Sequence, residues 1–244
     1  MLRQIITYPD KRLFVQSKVV EKFDESLHEL LDDMYETMIN GYGIGLAAIQ
    51  VAEALRIFLA CLPNENDEQS RENLLEIINP RLIFLDDEKI LCNEGCLSVP
   101  GFFEEVERFK RVRVEFQDRF GVPQTLEASD LLAVVMQHEF EHLDGHLFIE
   151  RLSFSQKRAF EKEFKAAQKA KKAGKNSSSN SRPNSAQNSR GNSNKNSAQN
   201  SNSRANFGGA KSSANSNFNA ANLNKNSKNS GGNSRIKHYQ RKIP

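Results

Sequence analysis

The sequence predicts an α+β domain of mostly antiparallel sheets packed around one central helix, followed by a C-terminal helix and a disordered tail. In residues 111–116, apolar residues alternate with charged ones ahead of a turn sequence, which is typical of a half-buried hairpin strand. Residues 130–143 have a helical pattern that is apolar on all sides, as a buried helix has. Near residue 165 the apolar pattern stops, which predicts the end of the folded part.

Charge divides the 244 residues into two unlike parts. Residues 1–163 contain 18 basic and 31 acidic side chains, net −13, whereas residues 164–244 contain 16 basic and no acidic ones, net +16. We therefore predict one globular domain over residues 1–165, whose last helix runs to about residue 173. The Asn- and Ser-rich residues 174–244 bury too little apolar surface to offset the entropy of ordering, so this basic tail is expected to be disordered.

Signals for export and for membrane insertion are not found in the sequence. Residues 1–7 lack the apolar core of a signal peptide, and no apolar run approaches the roughly 18 residues of a membrane helix. The three cysteines, Cys61, Cys92 and Cys96, are few and odd in number, which argues for a reducing compartment. We therefore expect a cytoplasmic protein with no membrane partner, and we interpret Cys61 and Cys92 as small buried apolar residues.

The first half of the domain predicts one helix, one loop and two strands. Asp24 is a candidate N-cap, apolar residues follow it at helical spacing, and Gly41 is a candidate stop. A loop with three glycines occupies residues 41–45. The two strands are expected over residues 55–62 and 74–85.

The second half predicts a hairpin and two helices. The hairpin is expected to have strands over residues 111–116 and 122–127, joined by a turn over residues 118–121. Ser129 or Asp130 can cap the central helix, which is expected to run to about Leu143. The last helix opens at Ser153, and Gln156 three residues later completes a capping-box pattern.

The predicted central helix contains two histidines that can share one metal ion. His138 and His142 are four residues apart, so they lie on the same face of a helix. Two buried imidazoles need polar partners, and a metal ion supplies one. Glu139 fits the general base of the His-Glu-x-x-His pattern, in which it works on a water activated by the metal. The pattern predicts a metal-dependent hydrolase, and the alternative is a pair of hydrogen-bonded core histidines.

A catalytic metal site usually has three protein ligands and one open position. The metzincin spacing would place histidine at position 148, where the sequence has Phe148, and His146 is out of register. Glu161 or Glu163 lies at a suitable separation but within the lysine-rich last helix. A zinc endopeptidase that uses either glutamate is therefore one hypothesis for the function.

The preferred third ligand lies upstream of the histidines. Cys96 stands between Gly95 and Pro100, which are expected to fix an irregular backbone that presents the thiolate. A thiolate and two imidazoles form a ligand set that suits zinc. Substituting Cys96 would separate this hypothesis from the endopeptidase, which needs no cysteine.

Three separated segments resemble, in order and spacing, the three motifs of the peptide deformylases. The segments are Gly43-Ile-Gly-Leu-Ala-Ala-Ile-Gln50, Glu94-Gly-Cys-Leu-Ser98 and Gln137-His-Glu-Phe-Glu-His142. The resemblance covers about residues 1–165 and is specific, because three independent motifs agree. Two departures, Ile49 where the family often has threonine and Glu141 where aspartate is common, remove no ligand and no catalytic group.

The resemblance implies a metal-dependent hydrolase that removes the formyl group from formylmethionine of newly made proteins and releases formate. It implies Cys96, His138 and His142 as the metal ligands. It also implies Fe²⁺ as the metal, for which nickel, cobalt or zinc can substitute. Nascent formylated polypeptides are then the expected partners.

The resemblance also assigns roles to the residues around the metal ligands. Glu139 would transfer the proton, and the side-chain amide of Gln50 and the backbone N–H of Leu97 would stabilise the oxyanion. The residues implied in binding the peptide are Ile44, Gly45 and Gly95. For Gln50, the alternative is a polar residue that merely ends a buried segment.

The basic tail has two interpretations. Its charges have no acidic counterweight, so they are expected to attract a polyanion without reading sequence. Ribosomal RNA is the polyanion closest to a nascent chain, which makes the ribosome a predicted partner. The alternative is a solubilising or drifted extension. A rival function of another class is an RNA-binding protein whose folded domain serves only as a scaffold and need not bind metal.

Overall fold

The computed structural model describes residues 1–177, so nearly all of the predicted disordered tail lies outside the described residues. The helices are α1 (Glu25–Asn40), α2 (Asp130–Leu143) and α3 (Phe154–Ser177). The strands are β1 (Gly45–Ala47), β2 (Ile57–Cys61), β3 (Leu74–Phe84), β4 (Lys89–Cys96), β5 (Val99–Phe109), β6 (Arg111–Gln117) and β7 (Pro123–Ser129). Short 3₁₀ helices occupy Lys11–Phe14, Ala48–Val51, Arg71–Asn73 and Phe148–Arg151. None of the helices in the described residues is long and apolar enough to cross a membrane.

The strands form two antiparallel sheets, which confirms the predicted α+β fold. The larger sheet has five strands in the order β1-β2-β3-β6-β7, and the smaller one is the hairpin β4-β5. Strand β1 pairs only with β2, with Gly45 opposite Ala60, so it lies at the edge of its sheet. An edge strand retains backbone groups that can pair with another extended segment.

Helices α1 and α2 cover opposite faces of the five-stranded sheet. Leu59 of β2 belongs to the core cluster that contains Leu31 and Met34 of α1. Phe58, the residue that precedes Leu59 in β2, belongs to the cluster that contains Met136 of α2. Successive side chains of a strand point to opposite faces, so the apolar run of β2 is buried on both sides. This arrangement holds α2 against the inner strands.

The ends of α1 and the start of α3 agree with the sequence signals, whereas Ser129, the N-cap of α2, makes no side-chain capping bond. The Asp24 side chain accepts a hydrogen bond from the N–H of Leu27, and Gly41 follows the last residue of α1. At the start of α3, the Gln156 side chain accepts from the N–H of Ser153 at 2.8 Å, which completes the capping box. The domain boundary near residue 165 and the helix end near 173 remain predictions.

The hairpin β4-β5 differs from the irregular backbone expected around Cys96. Cys96 is the last residue of β4, and its strand pairing shifts register between Gly95 and Cys96. The sequences of β4 and β5 lack a clear alternation of apolar and polar residues, because the inner face of these strands buries two charged residues, Glu94 and Arg108. The irregularity is thus confined to the register shift and to the turn that follows it.

Candidate active site

Three side chains from two elements converge at the centre of the domain. Helix α2 contributes His138 and His142 one turn apart, and the end of β4 contributes Cys96. Their ligand atoms all lie within 4.8 Å of one another, and the Cys96 sulfur is 3.3 Å from His142 Nε2. Within residues 1–177, no other group of three such side chains is close enough to hold a metal ion.

The donor set fits a metal ion. Burial lowers the pKa of His142 well below its usual range, so its imidazole is neutral and has a lone pair to donate. The alternative ligands are elsewhere, because Glu161 and Glu163 are exposed on α3. His146 is also exposed, and its Nδ1 lies 2.8 Å from Glu150. The endopeptidase hypothesis therefore finds no third ligand near the two histidines.

Two further residues orient His138, and neither was assigned a role from its sequence context. His138 Nδ1 donates to Glu94 at 2.7 Å, which leaves Nε2 for a metal ion. Arg108 holds both oxygens of Glu94, at 2.6 and 2.9 Å, and also contacts Glu141 of α2 at 2.5 Å. Burial raises the pKa of Glu94, but the bonds from Arg108 and His138 outweigh it and lower the pKa to about 2.

Glu139 is a buried carboxylate with one free oxygen. It is 5% exposed, and its Oε2 has no hydrogen-bond partner among residues 1–177. Burial raises the pKa of Glu139 to about 7. Gly45 of β1 leaves room for this side chain, since a Cβ at Gly45 would lie 2.3 Å from Glu139 Oε1. A carboxylate in this state can accept and return a proton near neutral pH.

The Gln50 side chain has a fixed orientation beside the cysteine. Its Oε1 accepts from the N–H of Ala47 at 2.7 Å, so its NH₂ group is the end that points towards Cys96. Nε2 lies 3.4 Å from the Cys96 sulfur and 3.2 Å from Ser98 Oγ. Gln50 is 1% exposed, and its side chain makes these three contacts inside the domain.

The predicted peptide-binding residues line one cavity that reaches the metal cluster. Gly95 lies against the ring of Phe103, where a Cβ would be only 2.2 Å from the nearest ring carbon. The cavity includes Leu97, and its other lining residues include Ile44, Gly45, Gly95, Leu131, Val134 and Val135. The structure thus brings every predicted site residue to the same place.

Comparison with known proteins agrees with this geometry. The family model described as polypeptide deformylase matches residues 2–158. The chain belongs to the peptide deformylase family. It is a hydrolase that removes the N-terminal formyl group of newly made proteins and releases formate. The family and the Cys-His-His cluster together indicate a metal ion at this site.

The relatives align with about two thirds of this chain. The peptide deformylase of Campylobacter jejuni is 60% identical over 165 residues, which are 68% of this chain and 94% of that one. The enzyme of Helicobacter pylori strain J99 is 54% identical over 167 residues, 68% of this chain and 95% of that one. The crystal structure of peptide deformylase from Ehrlichia chaffeensis matches with a TM-score of 0.61 and 38% identity, covering 69% of this chain and 97% of that one.

Proposed function

We propose that Cys96, His138 and His142 hold Fe²⁺, for which nickel, cobalt or zinc can substitute. The observation that carries the proposal is a compact set of three ligand atoms beside a buried carboxylate with an unpartnered oxygen. The bound ion would polarise the formyl oxygen and lower the pKa of a coordinated water. Glu94 fixes the ring of His138 through its Nδ1, which sets the direction of the ligand nitrogen.

Glu139 is the proposed general base and general acid. Its free Oε2 accepts the proton of the attacking water as the new C–O bond forms at the formyl carbon. It then returns this proton to the nitrogen of the leaving amine as the C–N bond breaks. The products are formate and a peptide with a free N-terminus. The pKa of about 7 suits both transfers near neutral pH.

Gln50 and Leu97 are the proposed donors to the oxyanion. The Gln50 NH₂ group points towards Cys96 and is held there by the bond from Ala47 N–H to Oε1. The N–H of Leu97 follows directly in the chain after the ligand Cys96. Donors that are in place before the reaction stabilise developing charge without reorganisation.

The peptide is proposed to bind as an added strand at the free edge of β1. Ile44, Gly45 and Gly95 all line the cavity. Backbone pairing of this kind gives affinity that is independent of side chains. The methionine side chain would enter the apolar part of the cavity, which is lined by Ile44, Leu131, Val134 and Val135.

Nascent chains in the cytoplasm are the proposed setting for this reaction. We propose a catalytic domain over residues 1–165 and a separate basic tail over residues 174–244. The tail carries positive charge without any acidic residue, which supports an electrostatic contact with the ribosome.

The test is Glu139→Gln, which keeps the shape of the side chain but cannot take a proton. We expect full metal content after anaerobic purification and a loss of about 10²–10⁴ in turnover of a formyl-Met peptide. Cys96→Ala should instead lose the metal. Near-normal turnover by a fully loaded Glu139→Gln protein would rule out the proposed proton transfer.

A further inference from the structure

The pairing of β1 with β2 is extended at one end by a side chain. The last backbone bond there is from Cys61 N–H to the Ile44 carbonyl, at 2.9 Å. One residue before it, the Gly43 carbonyl accepts from Gln69 Nε2 at 2.8 Å. The same Nε2 donates to the Cys61 carbonyl at 2.7 Å. Carbonyl oxygens only accept, so the amide NH₂ of Gln69 bridges two strands where backbone pairing has ended.

Gly43 lies at the end of the free edge that is remote from the reacting atoms. Gly45 touches Glu139 and therefore marks the metal end of the edge. Gly43 is two residues away, about 6–7 Å in an extended chain. Tyr42 comes next and is 47% exposed. A peptide whose formyl group reaches the metal must therefore pass Gly43 with the residues that follow its methionine.

Gly43 needs an external anchor. A Cβ at this position would lie 2.7 Å from Leu97 Cδ1, so any other residue here would require the Leu97 side chain to shift. Glycine has the largest backbone freedom of any residue, and the loop between α1 and β1 contains two of them, Gly41 and Gly43. Gln69, on the loop that joins β2 to β3, removes this freedom with one partly buried amide group.

We propose that Gln69 is a positioning residue for the peptide. It fixes Gly43 and Ile44 so that the edge of β1 can pair with the residues after formylmethionine, a role that rests on the proposed binding of the peptide at β1. Gln69 does not reach the reacting atoms. Its loss weakens the binding of longer peptides and leaves the chemical step intact.

The experiment compares two substrates of different length with the full chain loaded with metal. Formyl-Met-Ala-Ala amide can pair along the edge, whereas formylmethionine amide ends before Gly43. For Gln69→Ala we expect kcat/KM for the longer substrate to fall about five- to tenfold, mostly through KM, the size expected for one lost hydrogen-bonding contact. We expect less than about a twofold change for the short substrate.

The matched control is Gln117→Ala. Gln117 Nε2 also donates to a backbone carbonyl, that of Gly121 at 3.2 Å, in the turn between β6 and β7. Its loss is expected to leave unchanged the ratio of kcat/KM for the longer substrate to kcat/KM for the short one. Gln69→Glu keeps the size of the side chain but presents oxygens to two carbonyls, so it should shift the ratio further in the direction of Gln69→Ala.

The outcomes distinguish this proposal from the one on which it rests. If the wild-type enzyme gains nothing from the longer peptide, pairing at β1 is wrong and the role of Gln69 is wrong with it. If the wild type gains but both Gln69 variants lose equally on the two substrates, or lose nothing, only the role of Gln69 is overturned. If Gln69→Ala shows no cooperative thermal unfolding, and so is not folded, the test uses Gln69→Glu alone. The ratio of kcat/KM for the longer substrate to kcat/KM for the short one then decides.

Discussion

At the scale of the residue, Gln50 illustrates how a fixed hydrogen bond gives a side chain a direction. Its carbonyl oxygen accepts a hydrogen bond from Ala47 N–H, so its NH₂ group points towards Cys96. We predict that Gln50→Ala lowers kcat by about 10²–10³ while KM changes little, because an oxyanion forms only in the transition state. Steady-state kinetics with a formyl-Met peptide measure both values. A loss confined to KM would instead assign Gln50 to ground-state binding.

Ala52 provides a stability prediction at a strained position close to the site. It follows the 3₁₀ helix of Gln50 with φ +67°, in the left-handed region that costs a residue with a Cβ about 1–2 kcal/mol. Ala52→Gly removes that cost and adds some unfolded-chain entropy. We expect a net gain of up to about 1 kcal/mol, seen as a higher denaturant midpoint.

The control for Ala52 is Ala54→Gly, two residues later and outside the positive-φ positions of residues 1–177. Glycine there gains nothing in the folded state and is expected to lower the midpoint. Equal shifts in both variants would contradict the strain at Ala52.

Spacing made the two histidines of the cluster predictable at this scale, whereas charge concealed the residues that support them. His138 and His142 are separated by one helical turn, and that spacing is visible in the sequence. Arg108 is 1% exposed, but a sequence cannot distinguish it from the exposed arginines of neighbouring strands. Its role follows only from the fold, which places Glu94 and Glu141 on either side of it.

At the scale of the elements, Arg108 joins the small sheet to the central helix. It lies on β5, holds Glu94 of β4 and contacts Glu141 of α2. Arg108→Ala leaves Glu94 as a buried charge without its cation, so we predict a loss of about 3–5 kcal/mol of unfolding free energy. Metal affinity should fall about 10–100-fold, because His138 loses a fixed partner. Urea unfolding and metal titration measure the two effects.

Arg113→Ala is the matched control for Arg108. Arg113 pairs with Glu127 across β6 and β7, and both side chains are more than 40% exposed. Exposed ion pairs contribute little, so we expect a change below about 1 kcal/mol and unchanged metal affinity. Similar losses of unfolding free energy in Arg108→Ala and Arg113→Ala would mean that the buried ion pairs of Arg108 stabilise the fold no more than an exposed pair does.

The predictability of an element depended on which residues its buried face contains. Helices α1 and α2 bury mainly apolar residues at helical spacing, and both were predicted within about one residue of their ends. Strands β4 and β5 were not predicted, because their buried face includes Glu94 and Arg108 and their outer face is also charged. Strand β1 has only three residues, too few for any period to be recognised.

At the scale of the whole molecule, the chain combines an acidic part with a basic one. The net charge is −13 over residues 1–163 and +16 over residues 164–244. In the Campylobacter jejuni relative, 165 aligned residues are already 94% of the chain, so a tail of this length has no counterpart there. The reaction and the tail are therefore expected to be separable.

The last prediction uses a protein that ends at Gly174. Because the site lies within residues 42–142, this shortened enzyme should deformylate short formyl-Met peptides as fast as the full chain. It should bind ribosomes more weakly than the full chain at low salt, since it lacks the twelve basic residues of positions 175–244. The difference should shrink as salt rises, because counterions replace the tail on the RNA. Sedimentation with ribosomes at several salt concentrations measures it, and equal binding at low salt would leave the tail without this role.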